Sequence, residues 1–359
     1  MRGFGAWYAV AVALLLLGIK AGSGPAGKPW QVFGTPAVLK QTIAFSNDGA
    51  VLHGTLYRPD TSQRVPAVVA FHAAGLGRAD AALYVHLRQG LPAMGTAVLL
   101  YDRRGTGRST GTKDVSYETL ADDGIAGARA ISQIPAIDPN RIGYWGLSQG
   151  GWLAVFAAER DPRAAFAVSV SAPLVTPELQ MEFAMINRLR VNGYSSSDVA
   201  AMLAARKAWT AYLRGDLPRA TAVAALSKID RKPWFDLMYM PSVKDLPSNP
   251  AASSWRKQMD DDPLAALKRV RLPVLFIYGG DDPWIPVAAT IDRLRLLVRA
   301  NPAIEYAVIG RADHDMMFVQ RETMSVNTAA LQRDVPQAPA YFMLLASWLT
   351  RHVAQPESR

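Results

Sequence analysis

The chain has 359 residues, 50% of them hydrophobic and 19% charged, which is apolar enough for a sizeable core and excludes general disorder. It contains no cysteine, so disulfides, thiolate metal sites and a cysteine nucleophile are excluded together. Its 39 basic residues against 30 acidic ones give a net charge of +9, but they are scattered and no zinc-finger or RNA-binding motif accompanies them. The charge therefore reads as a surface property, and nucleic acid is not an expected partner.

The N-terminus runs from Arg2 through an apolar stretch (9–19) to Lys20 and a small-residue segment (21–27), the order of a secretory signal peptide. The uncharged stretch 3–19 falls short of the roughly 20 residues a membrane-spanning helix wants. Export to the periplasm or the exterior is the expectation, with residues 1–26 as signal peptide. Membrane association through an uncleaved N-terminal anchor is the alternative.

From Val38 the sequence alternates as a strand to Phe45, turns at 46–49 (SNDG) and returns through Val51 to Tyr57, the pattern of a hairpin. Beyond Pro66, short apolar runs (67–73, 96–102, 141–146, 165–172, 273–280 and 304–310) alternate with helical stretches at 117–134, 150–158, 287–300 and 337–352. Unbroken apolar strands alternating with helices predict a mostly parallel sheet covered on both faces, an α/β fold. About 100 residues separate Ala172 from Pro273, far beyond the roughly 2 to 6 residues of an ordinary loop. The periodic set Val199, Met202, Leu203, Trp209, Tyr212 and Leu213, preceded by Ser197 and Asp198 and closed by Gly215, reads as a capped amphipathic helix. Segments 181–189 and 220–229 read as helices too. An aromatic and Met-rich stretch follows at Trp234, Phe235, Met238, Tyr239 and Met240. The expected organisation is a core of residues 36–173 and 263–356 with a helical cap inserted at 174–262, the core resuming at Asp262 as an N-cap before Pro263.

Gly146-Leu147-Ser148-Gln149-Gly150 follows one of these strands and opens a helix, the context in which a sharp strand-to-helix turn exposes a serine nucleophile. A serine hydroxyl needs a base to take its proton and an acid to orient that base. Of five histidines, His53 falls in the hairpin, His86 in an early helix and His352 in the terminal helix, while His72 ends a strand. His314, in the loop after the last strand, is left as the base. The acid belongs at the end of the strand between them, where Asp281 and Asp282 stand side by side.

The order Ser148, Asp, His314 at the ends of parallel strands resembles the α/β-hydrolase superfamily over nearly the whole chain beyond the N-terminal segment. Further resemblance lies in residues 101–111 (YDRRGTGRSTG), in 138–152 (DPNRIGYWGLSQGGW) and in Gly279-x-x-Asp282-x-x-Ile285-Pro286. The last of these is similar to the family's acid loop and selects Asp282 over Asp281. Together these segments look most like exported bacterial esterases and acyl-peptidase-like enzymes. The resemblance implies the α/β-hydrolase fold with a helical cap, a triad of Ser148, Asp282 and His314, and elbow glycines Gly146 and Gly150. It also implies an oxyanion hole built from the N–H groups of Gln149 and Ala74. Here His72-Ala73-Ala74-Gly75 stands for the family's His-Gly-x-Gly, with Ala73 in place of the glycine and His72 in a structural role.

Asp102, Arg103 and Arg104 read as locking their own turn, with a role for the arginines toward an acidic substrate as the alternative, and residues 260–262 read as a cap and solvated face. No metal-ligand spacing or phosphate loop is present, so no cofactor is expected. The expected reaction is hydrolysis of a small-molecule carboxylic ester through an acyl-enzyme, with the cap's aromatic and Met residues lining a pocket for an apolar acyl group. Amide or peptide hydrolysis and acyl transfer are the alternatives with the same triad. A non-catalytic binding protein would be expected to have lost triad members or the elbow glycines.

Overall fold

The computed structural model describes residues 37–75, 77–113, 115–318 and 337–354, and residues 1–26, expected to be a signal peptide or anchor, lie outside them. Strands β1 (Val38–Asn47) and β2 (Ala50–Pro59) form the opening hairpin, with Asp48 and Gly49 both at positive φ (44° and 70°), the conformation of a tight two-residue hairpin turn. The chain then runs through β3 (Val65–Phe71), α1 (Val85–Ala93), β4 (Ala97–Tyr101), α2 (Tyr117–Ser132), β5 (Ile137–Leu147), α3 (Gln149–Arg160) and β6 (Ala167–Val170). After the inserted segment come β7 (Val274–Gly279), α9 (Val287–Ala300), β8 (Ile304–Ile309) and α10 (Pro339–Leu349).

The eight strands make one sheet in the order β1-β2-β4-β3-β5-β6-β7-β8, with β2 antiparallel to its neighbours and β4 through β8 parallel. Central strands β3, β4, β6 and β7 are buried along their whole length, as the unbroken apolar runs require. Alternate side chains serve opposite faces. Val69, Phe71, Leu99, Tyr144 and Phe276 pack with α2, α3 and α9, while Val68, Val98, Trp145, Val168 and Leu275 pack with α1 and α10.

The connections leave β3 in opposite directions, to β4 on one side and, after β4, back to β5 on the other. Such a reversal opens a crevice at the carboxyl ends of the strands, the usual ligand position in an open α/β sheet. The loops after β3 and β5 face each other there.

Between β6 and β7 lie α4 (Pro177–Val191), α5 (Ser196–Arg214), α6 (Arg219–Leu226), α7 (Ser254–Gln258) and α8 (Leu264–Leu267). Met185, Leu189, Met202, Trp209, Leu213, Trp234, Phe235 and Met238 bury one another in a separate hydrophobic cluster. The cap of α5 is Ser195, two residues before the serine expected, because its hydroxyl and the Asp198 carboxylate satisfy each other's backbone N–H across the three-residue spacing of a capping box. Asp262 caps the start of α8 by accepting from the Leu264 N–H at 3.0 Å. Arg206 is buried in this cluster, held by two hydrogen bonds to Glu178 (2.9 and 2.7 Å) and flanked by the rings of Trp209 and Trp255.

Candidate active site

Ser148 stands at the junction of β5 and α3 with φ 57° and ψ −120°, a conformation a non-glycine residue holds only when its surroundings enforce it. The enforcement is visible. The Ser148 N–H donates to the Val170 carbonyl on β6 (2.7 Å), and the Ser148 carbonyl accepts from Gly151 (2.9 Å). A Cβ at Gly146 would overlap the Gly150 carbonyl, and one at Gly150 would press on the backbone carbonyls of Phe71 and His72, so the turn closes only with glycine at both places.

Asp282 and His314 follow β7 and β8, so the serine, the acid and the histidine all leave the carboxyl edge of the sheet, the serine from β5 one strand away from β7. Asp282 is buried and its Oδ2 accepts from His314 Nδ1 at 2.8 Å, while its Oδ1 accepts the N–H groups of Trp284 (2.7 Å) and Ile285 (3.0 Å). Asp281 is exposed and makes no such contact, its N–H instead joining the acid loop to the Ala312 carbonyl (3.0 Å). Gly279 lets the two loops touch, since a Cβ there would collide with the carbonyls of Ala312 and Asp313. No hydrogen bond joins the Ser148 hydroxyl to His314 among the described residues; such contacts commonly tighten only when substrate fills the site.

Burial of the His314 ring opposes its protonation, but the Asp282 charge and hydrogen bond, with Asp315 and Asp313 close by, outweigh that and raise it from 6.5 to about 9. The consequences for stability and for activity run in opposite directions. Protonated His314 adds stability that is fully present below pH 6.5 and is lost as pH rises through about 9. A general base must be neutral, so kcat/KM for an ester is expected to climb with pH and level off above about 9. Asp282→Asn removes the principal raising influence and is expected to shift that limb downward while cutting kcat by roughly 10,000-fold. A pH–rate profile of both proteins checks this; an unmoved limb would assign it to another group.

The loop after β3 carries the candidate second oxyanion donor. His72 is buried and neutral, its value lowered to about 4 chiefly by burial, with its Nε2 2.5 Å from the Tyr101 carbonyl. That is the structural role expected of it. The Ala73 methyl packs in the core beside Tyr84, and its N–H donates to the Tyr84 hydroxyl at 3.1 Å. The N–H groups of Ala74 and of Gln149, the first residue of α3, make no hydrogen bond among the described residues. They can therefore receive an oxyanion.

Sequence reasoning missed several supporting groups. Ser171, buried after β6 with φ 51°, donates its hydroxyl to the His314 carbonyl (2.8 Å) and its N–H to Ile277 (2.8 Å). Asp313 Oδ1 accepts the N–H groups of Asp315 and Met317 and shapes the histidine loop. The Trp284 ring lies 6.4 Å from that of His314, and α4 grips the acid loop through Gln180 to the Trp284 carbonyl (2.9 Å) and Asn187 to the Pro283 carbonyl (3.1 Å). Of the aromatic and Met-rich stretch expected to line an acyl pocket, Trp234, Phe235 and Met238 are buried in the inserted segment's own core. Tyr239 instead is exposed and reaches the Trp284 ring, 6.0 Å away.

Among solved structures, the chain is similar to the Pyrococcus furiosus esterase Pf2001 (TM-score 0.54, 15% identity, 93% of this chain and 98% of that one). It is likewise similar to the α/β hydrolase GrgF from Penicillium sp. sh18 (TM-score 0.53, 20% identity, 88% and 100%). These likenesses give the α/β-hydrolase fold. In sequence the chain is 33% identical over 135 residues to the thiohydrolase apmlB of Arthrinium phaeospermum, covering 37% of this chain and 43% of that relative. It is 26% identical over 254 residues to the quorum-quenching protein AidA of Acinetobacter baumannii, covering 69% and 81%. The pattern of the X-Pro dipeptidyl-peptidase (S15) family matches residues 48–315, from the hairpin turn to the residue after the candidate catalytic histidine. With the match extending over most of the chain and over all three candidate triad residues, the chain belongs to the S15 family.

Proposed function

We propose that the protein is a serine hydrolase that cleaves carboxylic esters of small molecules through an acyl-enzyme. The observation that carries this reading is the 2.8 Å contact between a buried Asp282 and His314 at the sheet edge that also bears the strained Ser148 elbow. Ser148 Oγ attacks the carbonyl carbon as His314 Nε2 takes its proton, and Asp282 holds the ring through Nδ1 and stabilises the imidazolium. The N–H groups of Gln149 and Ala74 hold the oxyanion, a donor of this kind being worth about 3 kcal/mol in the transition state. His314 then returns the proton to the leaving alcohol, and water repeats the sequence on the acyl-enzyme.

A second reading, thioester cleavage by the same residues, is favoured by the likeness to a thiohydrolase. The acyl-enzyme makes no distinction of principle between an alkoxide and a thiolate leaving group. An apolar acyl part and export through the N-terminal segment complete the proposal.

The test is purified protein treated with a fluorophosphonate probe and then given 4-nitrophenyl butyrate, a butyryl thioester and an X-Pro 4-nitroanilide. Labelling with fastest turnover of the 4-nitrophenyl ester supports the reading. Faster thioester turnover moves the second reading to the front, and fastest anilide turnover makes the enzyme a peptidase.

A further inference from the structure

Three consecutive residues after β4 point to three different partners. Asp102 accepts the N–H groups of Ala79 and Arg108, both at 2.9 Å, and Arg104 is paired with Asp123. Arg103 turns instead toward the nucleophile, its Nη1 donating to Gln149 Oε1 at 2.6 Å. The Gln149 amide in turn donates to the Tyr117 hydroxyl (3.4 Å).

Arg103 is half-buried, and among the described residues no carboxylate lies within ion-pair distance of it. Burial draws its proton affinity down, and the opposing influence of Tyr101, Tyr117, Tyr84 and of Asp123, already doubly bound to Arg104, does not make that up. A guanidinium taken from water is costly unless an anion meets it, and its planar fork of five N–H donors matches a carboxylate. Among the described residues Arg103 makes one side-chain bond, to a neutral amide. The amide belongs to Gln149, whose own N–H is the proposed oxyanion donor, so the guanidinium is bonded to a residue of the proposed oxyanion hole.

Resting on the ester-hydrolase reading above, we propose that Arg103 anchors a carboxylate carried by the substrate, so that the enzyme prefers mono-anionic esters to their neutral counterparts. The opposite flank of the site is also cationic. Arg188 lies over the rings of Tyr239 (5.6 Å) and Trp284 (5.7 Å), the latter beside His314, again with no carboxylate within ion-pair distance among the described residues. Arg103 is the one joined to the oxyanion residue and is the anchor; Arg188 adds to the field that draws anions in.

Two matched pairs test this by release of the phenol. In 4-nitrophenyl hydrogen adipate against methyl 4-nitrophenyl adipate the carboxylate is on the acyl side. In 4-acetoxybenzoate against methyl 4-acetoxybenzoate it is on the leaving group. The wild type is expected to show at least a tenfold higher kcat/KM, mainly through KM, for the anionic member of one pair. Arg103→Met is expected to bring that ratio to about one, and Arg188→Met to leave most of it. Arg103→Gln serves the same purpose should the methionine variant not fold.

A ratio near one in a wild type that still labels at Ser148 and turns over the neutral esters overturns the proposal and leaves the hydrolase reading standing. A ratio that survives removal of the Arg103 charge also overturns it, as does an equal fall in both members of a pair, which would make Arg103 a positioning residue for Gln149. Absence of both labelling and turnover brings down the hydrolase reading and this proposal with it.

Discussion

Replacing Ser148 with alanine is expected to abolish fluorophosphonate labelling and to lower ester kcat by on the order of 100,000-fold or more, with the folded protein intact. The hydroxyl is the only atom lost. Alanine at φ 57° is no worse placed than serine, and the bonds that fix the elbow, from the Ser148 N–H to Val170 and from Gly151 to the Ser148 carbonyl, belong to the backbone. The thermal midpoint should therefore stay within a few degrees while activity disappears. What survives would measure the two oxyanion donors and binding, roughly 1,000-fold to 10,000-fold over water in enzymes of this mechanism.

Ser171 supplies the contrasting case. It too sits at positive φ after a parallel strand, but it is fully buried and its hydroxyl is spent on the His314 carbonyl. Ser171→Ala is expected to keep the label and to lower kcat by about fivefold, the effect of loosening the histidine loop by one hydrogen bond of about 1 kcal/mol. Loss of labelling in the Ser171 variant with retention in the Ser148 variant would exchange their roles.

These two serines also mark how far the sequence alone could be read. Ser148 is legible because its turn needs glycines at fixed offsets, a constraint written in neighbouring residues. Ser171 and Tyr84 contribute single hydrogen bonds to backbone groups distant in sequence, and no local pattern records such a contact. The helix at Val287–Ala300 is legible to its ends because an apolar stripe and a preceding proline define it. The pair Asp281 and Asp282 is different, since adjacent residues at a strand end point opposite ways and only the register of the loop decides which is buried. The same ambiguity holds for Arg103 and Arg104, which read alike as turn-locking charges or as contacts for an acidic substrate until the turn is built and only Arg104 is found paired with Asp123. The aromatic residues between Trp234 and Met240 carry no periodicity that separates a core from a pocket wall, and most of them prove to be core.

The largest change in stability is expected at Asp123. Its carboxylate and the Arg104 guanidinium are almost completely buried (1% and 2% exposed side chains) and joined by two hydrogen bonds of 2.8 and 2.6 Å. Asn47, at the end of β1, donates to the same carboxylate at 2.8 Å, so one acid on α2 ties the hairpin to the turn after β4. Asp123→Ala would leave the buried guanidinium with only the exposed Asp48 carboxylate, 3.9 Å away and without a hydrogen bond, and the expected cost is about 3 to 5 kcal/mol, a large part of the roughly 5 to 15 kcal/mol that holds a domain folded. Denaturant titration should show it as a lower midpoint at unchanged slope. Asp80→Ala, which breaks the exposed Arg78–Asp80 pair, is the control and should leave the midpoint nearly unchanged. Because a buried pair repays little beyond its own desolvation, the double variant Asp123→Leu with Arg104→Met should recover much of the loss. Equal destabilisation by the single and double variants would show instead that the charges themselves hold the turn. That turn carries Arg103, so a double variant that is stable but has lost its preference for anionic esters would trace the selectivity of the site to an ion pair that never touches the substrate.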